Sequence, residues 1–169
     1  MRQTIRILGI DPGSLATGYG IVEQHGFDLC FVGCGVVRST PTLAMAERLK
    51  EIYEGIRAVI DSHAPHHAAI EEVFVAKNPS SAIKLGQARG VLLLAVSQCG
   101  LPLQEFSART VKQAVVGHGQ AGKEQMQQAV RALLKLSACP SPDAADALAV
   151  AMCCANHLAV ARAADRKRS

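Results

Sequence analysis

Apolar and polar positions alternate or repeat along this chain with a period that changes from segment to segment. Thr4–Ile10 is largely apolar and ends at Asp11-Pro-Gly-Ser14, a turn signal, so it reads as a first strand. Thr17–Glu23 and Leu29–Arg38 are rich in Val, Ile, Tyr and Phe and are separated by a loop with Gly26. Three consecutive strands predict an antiparallel meander. Thr40-Pro41 is a helix start, a capping residue followed by proline. Leu43, Ala46, Leu49, Ile52, Tyr53, Ile56, Val59 and Ile60 then mark one face at helical spacing. His67–Glu72 reads as a short buried strand, Ser80 to about Cys99 as a helix, and Pro102–Phe106 as a fifth strand. Ser107 caps a helix through Val115, Lys123–Leu136 is helical, and a last helix runs from the Pro140/Pro142 turn to about Ala161. The order β-β-β-α-β-α-β-α-α-α predicts an α/β fold, a five-stranded mixed sheet with helices on both faces. Residues 1–161 form one domain in this reading, and 162–169, without apolar periodicity, a mobile basic tail.

Composition narrows the class. The 49% hydrophobic content of 169 residues suits a globular domain that needs no staples. Apolar runs such as Val91–Val96 are too short to span a bilayer, and the N-terminus shows no cleavage pattern, which predicts a cytoplasmic protein without a membrane role. None of the six cysteines forms a C-x-x-C pair, so they read as buried thiols of a reducing compartment rather than zinc ligands. The net charge of +4 conceals a division: residues 1–72 sum to −3, 73–136 to +6, 137–161 to −2 and 162–169 to +3. An acidic set beside a basic block suits a polyanion held against a metal centre.

Acids fall where burial is expected. Asp11 ends an apolar strand, Glu71 and Glu72 end another, and Asp143 and Asp146 sit three apart on one helix, hence on one face. An unpaired carboxylate in such surroundings is costly, and hard oxygen donors suit Mg²⁺ or Mn²⁺. Asp11 also fits a turn-initiating role, and Asp143 a helix-dipole role. Alternation along a strand lets only one of Glu71 and Glu72 share a site with Asp11 and leaves open which. Gly13, Gly18 and Gly20 suit a close backbone or substrate approach, and an ordinary hairpin as well. Gly117–Glu124 (GHGQAGKE) imitates a phosphate-binding G-x-x-x-x-G-K loop but has Glu124 in place of the Ser or Thr that holds Mg²⁺. No nucleotide is expected there, and its glycines and Lys123 suit a phosphate contact. His63, His66 and His67 read as a solvated connection. Phe74, just past Glu71, fits a core phenylalanine at a strand end, and equally an exposed aromatic that stacks on an unpaired base.

The stretches ILGIDPGSLATGYGIV, AIEEVFVAKNPSSAIKLGQARGV, ARTVKQAVVGHGQAGKEQMQ and LLKLSACPSPDAADALAVA, in this order over about residues 5–158, resemble the RuvC-type Holliday-junction resolvases. The resemblance implies a ribonuclease-H-like fold and a homodimer that makes paired symmetric nicks in four-way DNA junctions, in recombination and repair. It implies two Mg²⁺ ions per subunit, with Mn²⁺ as a substitute, and RuvA and RuvB as partners. It selects Glu71 over Glu72 and assigns Asp11, Glu71, Asp143 and Asp146 as catalytic metal ligands. The resemblance further implies hydrolysis of the phosphodiester by a metal-activated water, leaving 5′-phosphate and 3′-hydroxyl ends. Phe74 matches the aromatic near the crossover, and Lys112 and Lys123 match basic residues that handle DNA. Lys77, Lys84 and Arg89, from the basic block, are further expected DNA contacts. The competing readings are a non-catalytic junction-binding module, an actin-like ATPase fragment and a related nuclease acting on RNA.

Overall fold

The structure, a computed structural model, describes residues 4–72 and 78–166. Five strands, β1 (Thr4–Asp11), β2 (Ala16–His25), β3 (Asp28–Arg38), β4 (His67–Glu72) and β5 (Leu103–Ser107), form one sheet in the order β3-β2-β1-β4-β5. The β1–β2 and β2–β3 pairs are antiparallel, and β4 and β5 join parallel to β1. The meander and the mixed sheet are as the sequence predicts. The helices are α1 (Met45–His63), α2 (Pro79–Gln98), α3 (Ala108–Val116), α4 (Lys123–Leu133) and α5 (Pro142–Arg166).

Strand alternation divides the core into two layers. Leu8, Ile10, Ile21, Ala68 and Ile70 pack against α1 and α2 through Ile52, Ile56, Ala88 and Leu92. Ile5, Ile7, Val22 and Ala69 point to the other face, where α3, α4 and α5 lie. Helix α5 is the central element of that layer. From Ala144 to Ala155 every residue except half-buried Asp146 is buried, and alanines predominate among them. By length and composition α5 is apolar enough to cross a membrane, contrary to the expectation that no run is. Its apolar character serves the core, with 61% of that span buried.

Small residues let α5 lie unusually close to the sheet. A Cβ on Gly9 would stand 2.1 Å from the Ala147 carbonyl oxygen, one on Gly18 2.0 Å from that of Asp143, and one on Gly20 2.6 Å from the Leu148 nitrogen. Gly9 pairs with Gly20, and Gly18 with Asp11, so the three line a trough across β1 and β2. Gln24 adds a fixed bond, its Nε2 donating to the Ala155 carbonyl at 2.7 Å.

Several boundaries differ from expectation. Helix α1 starts at Met45 because Thr40 does not cap it: its N–H and hydroxyl donate to the Glu51 carboxylate at 2.6 and 2.9 Å, holding 40–44 as a turn. Helix α4 ends at Leu133, short of Leu136, where Lys135 takes a positive φ of 52°. Helix α5 runs past Ala161 to Arg166, and Arg162, expected in the mobile tail, donates to Gln24 Oε1 at 3.4 Å. The cysteines are less uniformly buried than expected: Cys153 and Cys154 are buried, whereas Cys30 and Cys139 are exposed on the β3 edge and in the loop before α5.

Candidate active site

Asp11 is the last residue of β1, and Glu71 is near the end of the neighbouring parallel strand. The register pairs Gly9 with Ala69 and Ile10 with Ile70, so Asp11 and Glu71 continue it side by side at the carboxyl ends. Ala69 faces α5 and Ala68 and Ile70 face α1 and α2. Period-two alternation therefore turns Glu71 toward α5 and Glu72 away from it. This geometry chooses Glu71 independently of any resemblance. Across the trough, Pro142 opens α5, Asp143 occupies its first turn, and Asp146 follows one turn deeper. The carbonyl of Asp143 rests where Gly18 has no side chain, which brings this turn down beside Asp11.

The result is a pocket of about 320 Å³ lined by Asp11, Glu71, Asp143 and Asp146, with Lys112 of α3 and Lys123 of α4, over an apolar floor of Ala108, Val111 and Met126. Burial pushes the Asp11 carboxyl up to about 8, reinforced by repulsion from Glu71, Asp146 and Asp143 and opposed by Lys123. Burial also raises Glu71, helped by Asp146, while Lys112 and Lys123 pull it down. Burial raises Asp146 in the same way; Lys123 counters it, Asp143 adds to it and Lys112 counters it again. Two lysines thus leave a surplus of buried negative charge that a divalent cation would neutralise. Among the described residues no three His, Cys, Asp or Glu side chains already stand gathered around one point as metal ligands. The donor set, all hard oxygens lining one pocket, fits Mg²⁺ or Mn²⁺.

Supports beneath Asp11 went unread in the sequence. The Thr17 hydroxyl donates to the Gly13 carbonyl at 2.8 Å, closing the turn after Asp11. The Ser14 carbonyl accepts from Ser39 Oγ at 2.8 Å and from the guanidinium of Arg48. Arg48 is buried, on the α1 face that also buries Ile52 and Ile56. An arginine in register with an apolar face is the signal that would have found it.

The expected DNA contacts fare unequally. Lys112 and Lys123 line the acid pocket. Lys84 is exposed on α2 and does not line it. Arg89 is already engaged: it donates to the Glu105 carboxylate and, at 3.5 Å, to the Glu71 carbonyl, bracketing α2 against β4 and β5. Its charge is paired within the chain by the half-exposed Glu105. Phe74 and Lys77 lie outside the described residues.

Comparison with known proteins identifies the family. The family model described as crossover junction endodeoxyribonuclease RuvC matches residues 7–154. The RuvC of Tolumonas auensis is 54% identical over 147 residues, 87% of this chain and 84% of the relative. That of Brucella suis is 47% identical over 157 residues, 93% and 91% of the two chains. Among solved structures, T. thermophilus RuvC in complex with a Holliday junction substrate superposes with a TM-score of 0.86 at 33% identity, covering 93% of this chain and 96% of that one. The yeast mitochondrial Holliday junction resolvase Ydc2 shares the fold, with a TM-score of 0.64 at 14% identity. These matches displace the ATPase-fragment reading, and the chain belongs to the RuvC family of crossover junction endodeoxyribonucleases.

Proposed function

We propose that Asp11, Glu71, Asp143 and Asp146 are the catalytic acids of a nuclease that resolves four-way DNA junctions by paired symmetric nicks. The observation that carries this assignment is their meeting, with Lys112 and Lys123, in one pocket at the carboxyl ends of β1 and β4. The family implies divalent-metal dependence, and the finer reading is two Mg²⁺ ions per subunit, replaceable by Mn²⁺. When bound, such ions lower the pKa of a water and stabilise charge on the leaving 3′ oxygen. Asp11, at the centre of the mutual repulsion, gives up its proton as the site is loaded. Glu71 and Asp146 are held by rigid elements, a strand and a core helix, so the donors need little reorganisation. Lys112 and Lys123 hold the strand to be cut by its phosphates and oppose the upward shift of Glu71 and Asp146.

Two symmetric nicks call for two sites related by a two-fold axis, hence an isologous dimer. Exposed Ile83 and Leu94 on α2 supply an apolar face for it. The resemblance adds RuvA and RuvB as partners, which co-purification tests, and a cytoplasmic location with the substrate DNA. The deciding experiment is Asp11→Asn with a synthetic four-way junction and Mg²⁺. Nicking falls by at least 10³-fold, in the range that loss of one essential catalytic group produces, while junction binding persists. Near-wild-type nicking by Asp11→Asn would remove the acids from the mechanism.

A further inference from the structure

The loop 117–122 that imitates a nucleotide-binding motif has a structural setting of its own. Gly117 ends α3 at φ 88°, in the left-handed region, and folds the chain back along the helix it has just left. Gly119 then lies against Arg109: a Cβ on it would stand 2.7 Å from Arg109 Cγ. Arg109 and Lys112 are three residues apart on α3 and share one face. Together with His118, Gly119 and Gln120 they line an open pocket of about 430 Å³. No acid lines it, and among the described residues none of Arg109, Lys112 and His118 enters an ion pair. Arg109 and His118 are exposed, so no packing role explains them. Lys112 lines both this pocket and the acid pocket.

We infer that this pocket is a second phosphate seat, in which Arg109 and His118 hold a DNA backbone phosphate adjacent to the scissile one. The inference rests on the nuclease reading. A strand whose scissile phosphate lies over Lys112 passes directly onto a surface with two cationic or donor groups and a backbone free of side-chain bulk. Arg109 offers a planar fork for two phosphate oxygens, and His118 a ring N–H. The seat fixes the register of the cut strand and carries no base recognition.

The test measures binding of a synthetic four-way junction, without divalent ions, as a function of salt. Arg109→Gln lowers the slope of log Kd against log salt by about one, the share of a single phosphate contact, and Arg109→Lys retains it. His118→Gln weakens junction binding several-fold; as an exposed loop residue it leaves folding intact. Gly119→Ala displaces the Arg109 side chain and reproduces Arg109→Gln. A methylphosphonate placed beside the scissile phosphate weakens binding of the wild-type chain and has no further effect on Arg109→Gln. An unchanged slope in Arg109→Gln, or equal methylphosphonate penalties in both chains, overturns the inference. So does inorganic phosphate binding to the wild-type chain alone with junction affinity unaltered, which would make the pocket a free-anion site. A wild-type chain that cuts no junction with Mg²⁺ defeats the nuclease reading instead, so the two failures are distinguishable.

Discussion

Among the described carboxyls, that of Asp11 stands far above its ordinary range. It is raised to about 8 from an ordinary value of 3.8, first by burial and then by the acids around it. The folded chain therefore binds a proton that the unfolded chain has released between about pH 4 and pH 8. Stability of the metal-free protein falls as pH rises through that window, with each unit of raised pKa worth about 1.4 kcal/mol. Melting curves from pH 5 to pH 8 should show Tm declining, and Asp11→Asn should flatten the decline. Mg²⁺ at pH 8 should restore Tm in the wild-type chain and do little for Asp11→Asn. A wild-type Tm that is flat across the window would show that the acids are not in repulsion. At this scale the sequence was informative about which residues meet in the pocket. Asp11, Asp143 and Asp146 stand out because apolar neighbours surround them. The choice between Glu71 and Glu72 needed either a family resemblance or the observed facing of Ala69, since alternation has no sign until a second element fixes which face is which.

Between elements, the close approach of α5 to β1 and β2 is what turns separate acids into one site. Gly18→Ala inserts a Cβ 2.0 Å from the Asp143 carbonyl, a backbone atom that cannot swing aside. The expected cost is about 1–3 kcal/mol of stability. The nicking rate at saturating junction should fall further than the unfolded fraction explains, because Asp143 moves away from Asp11. Denaturant unfolding and single-turnover cleavage of the same preparation check both parts; normal cleavage with normal stability would refute the trough as a positioning device. Gly18 and Gly20 were recognisable as close-approach glycines, but what approaches them was not. That partner lies more than a hundred residues away, and local pattern carries no information on such pairing. The Thr40 turn failed for a related reason: a good cap signal lost to the Glu51 side chain, two turns into the same helix.

At the scale of the whole molecule, the division of charge along the chain pointed to a polyanion, and the family to which the chain belongs acts on DNA junctions. The +6 of residues 73–136 already counts Glu105 against Arg89, so their ion pair leaves it unchanged. Junction affinity should be steeply salt-dependent, and Lys112→Gln should lower the log–log slope by about one. Arg89→Gln should leave that slope unchanged and cost at most about 1 kcal/mol of stability, the range of a partly exposed ion pair. A slope change in Arg89→Gln equal to that of Lys112→Gln would return Arg89 to the DNA surface. The meander, the mixed sheet and the helices on both faces followed from hydrophobic periodicity because each strand and helix is locally consistent with its neighbours, whereas the order β3-β2-β1-β4-β5 is read from the structure. The helix ends did not, since Arg162 is held by a bond to Gln24 that no local signal announces. Four carboxylates from two strands and one helix should hold divalent metal together, and anomalous diffraction from crystals loaded with Mn²⁺ checks this. Peaks within the pocket bounded by Asp11, Glu71, Asp143 and Asp146 are the expected result, and Mn²⁺ bound only elsewhere on the chain would contradict it.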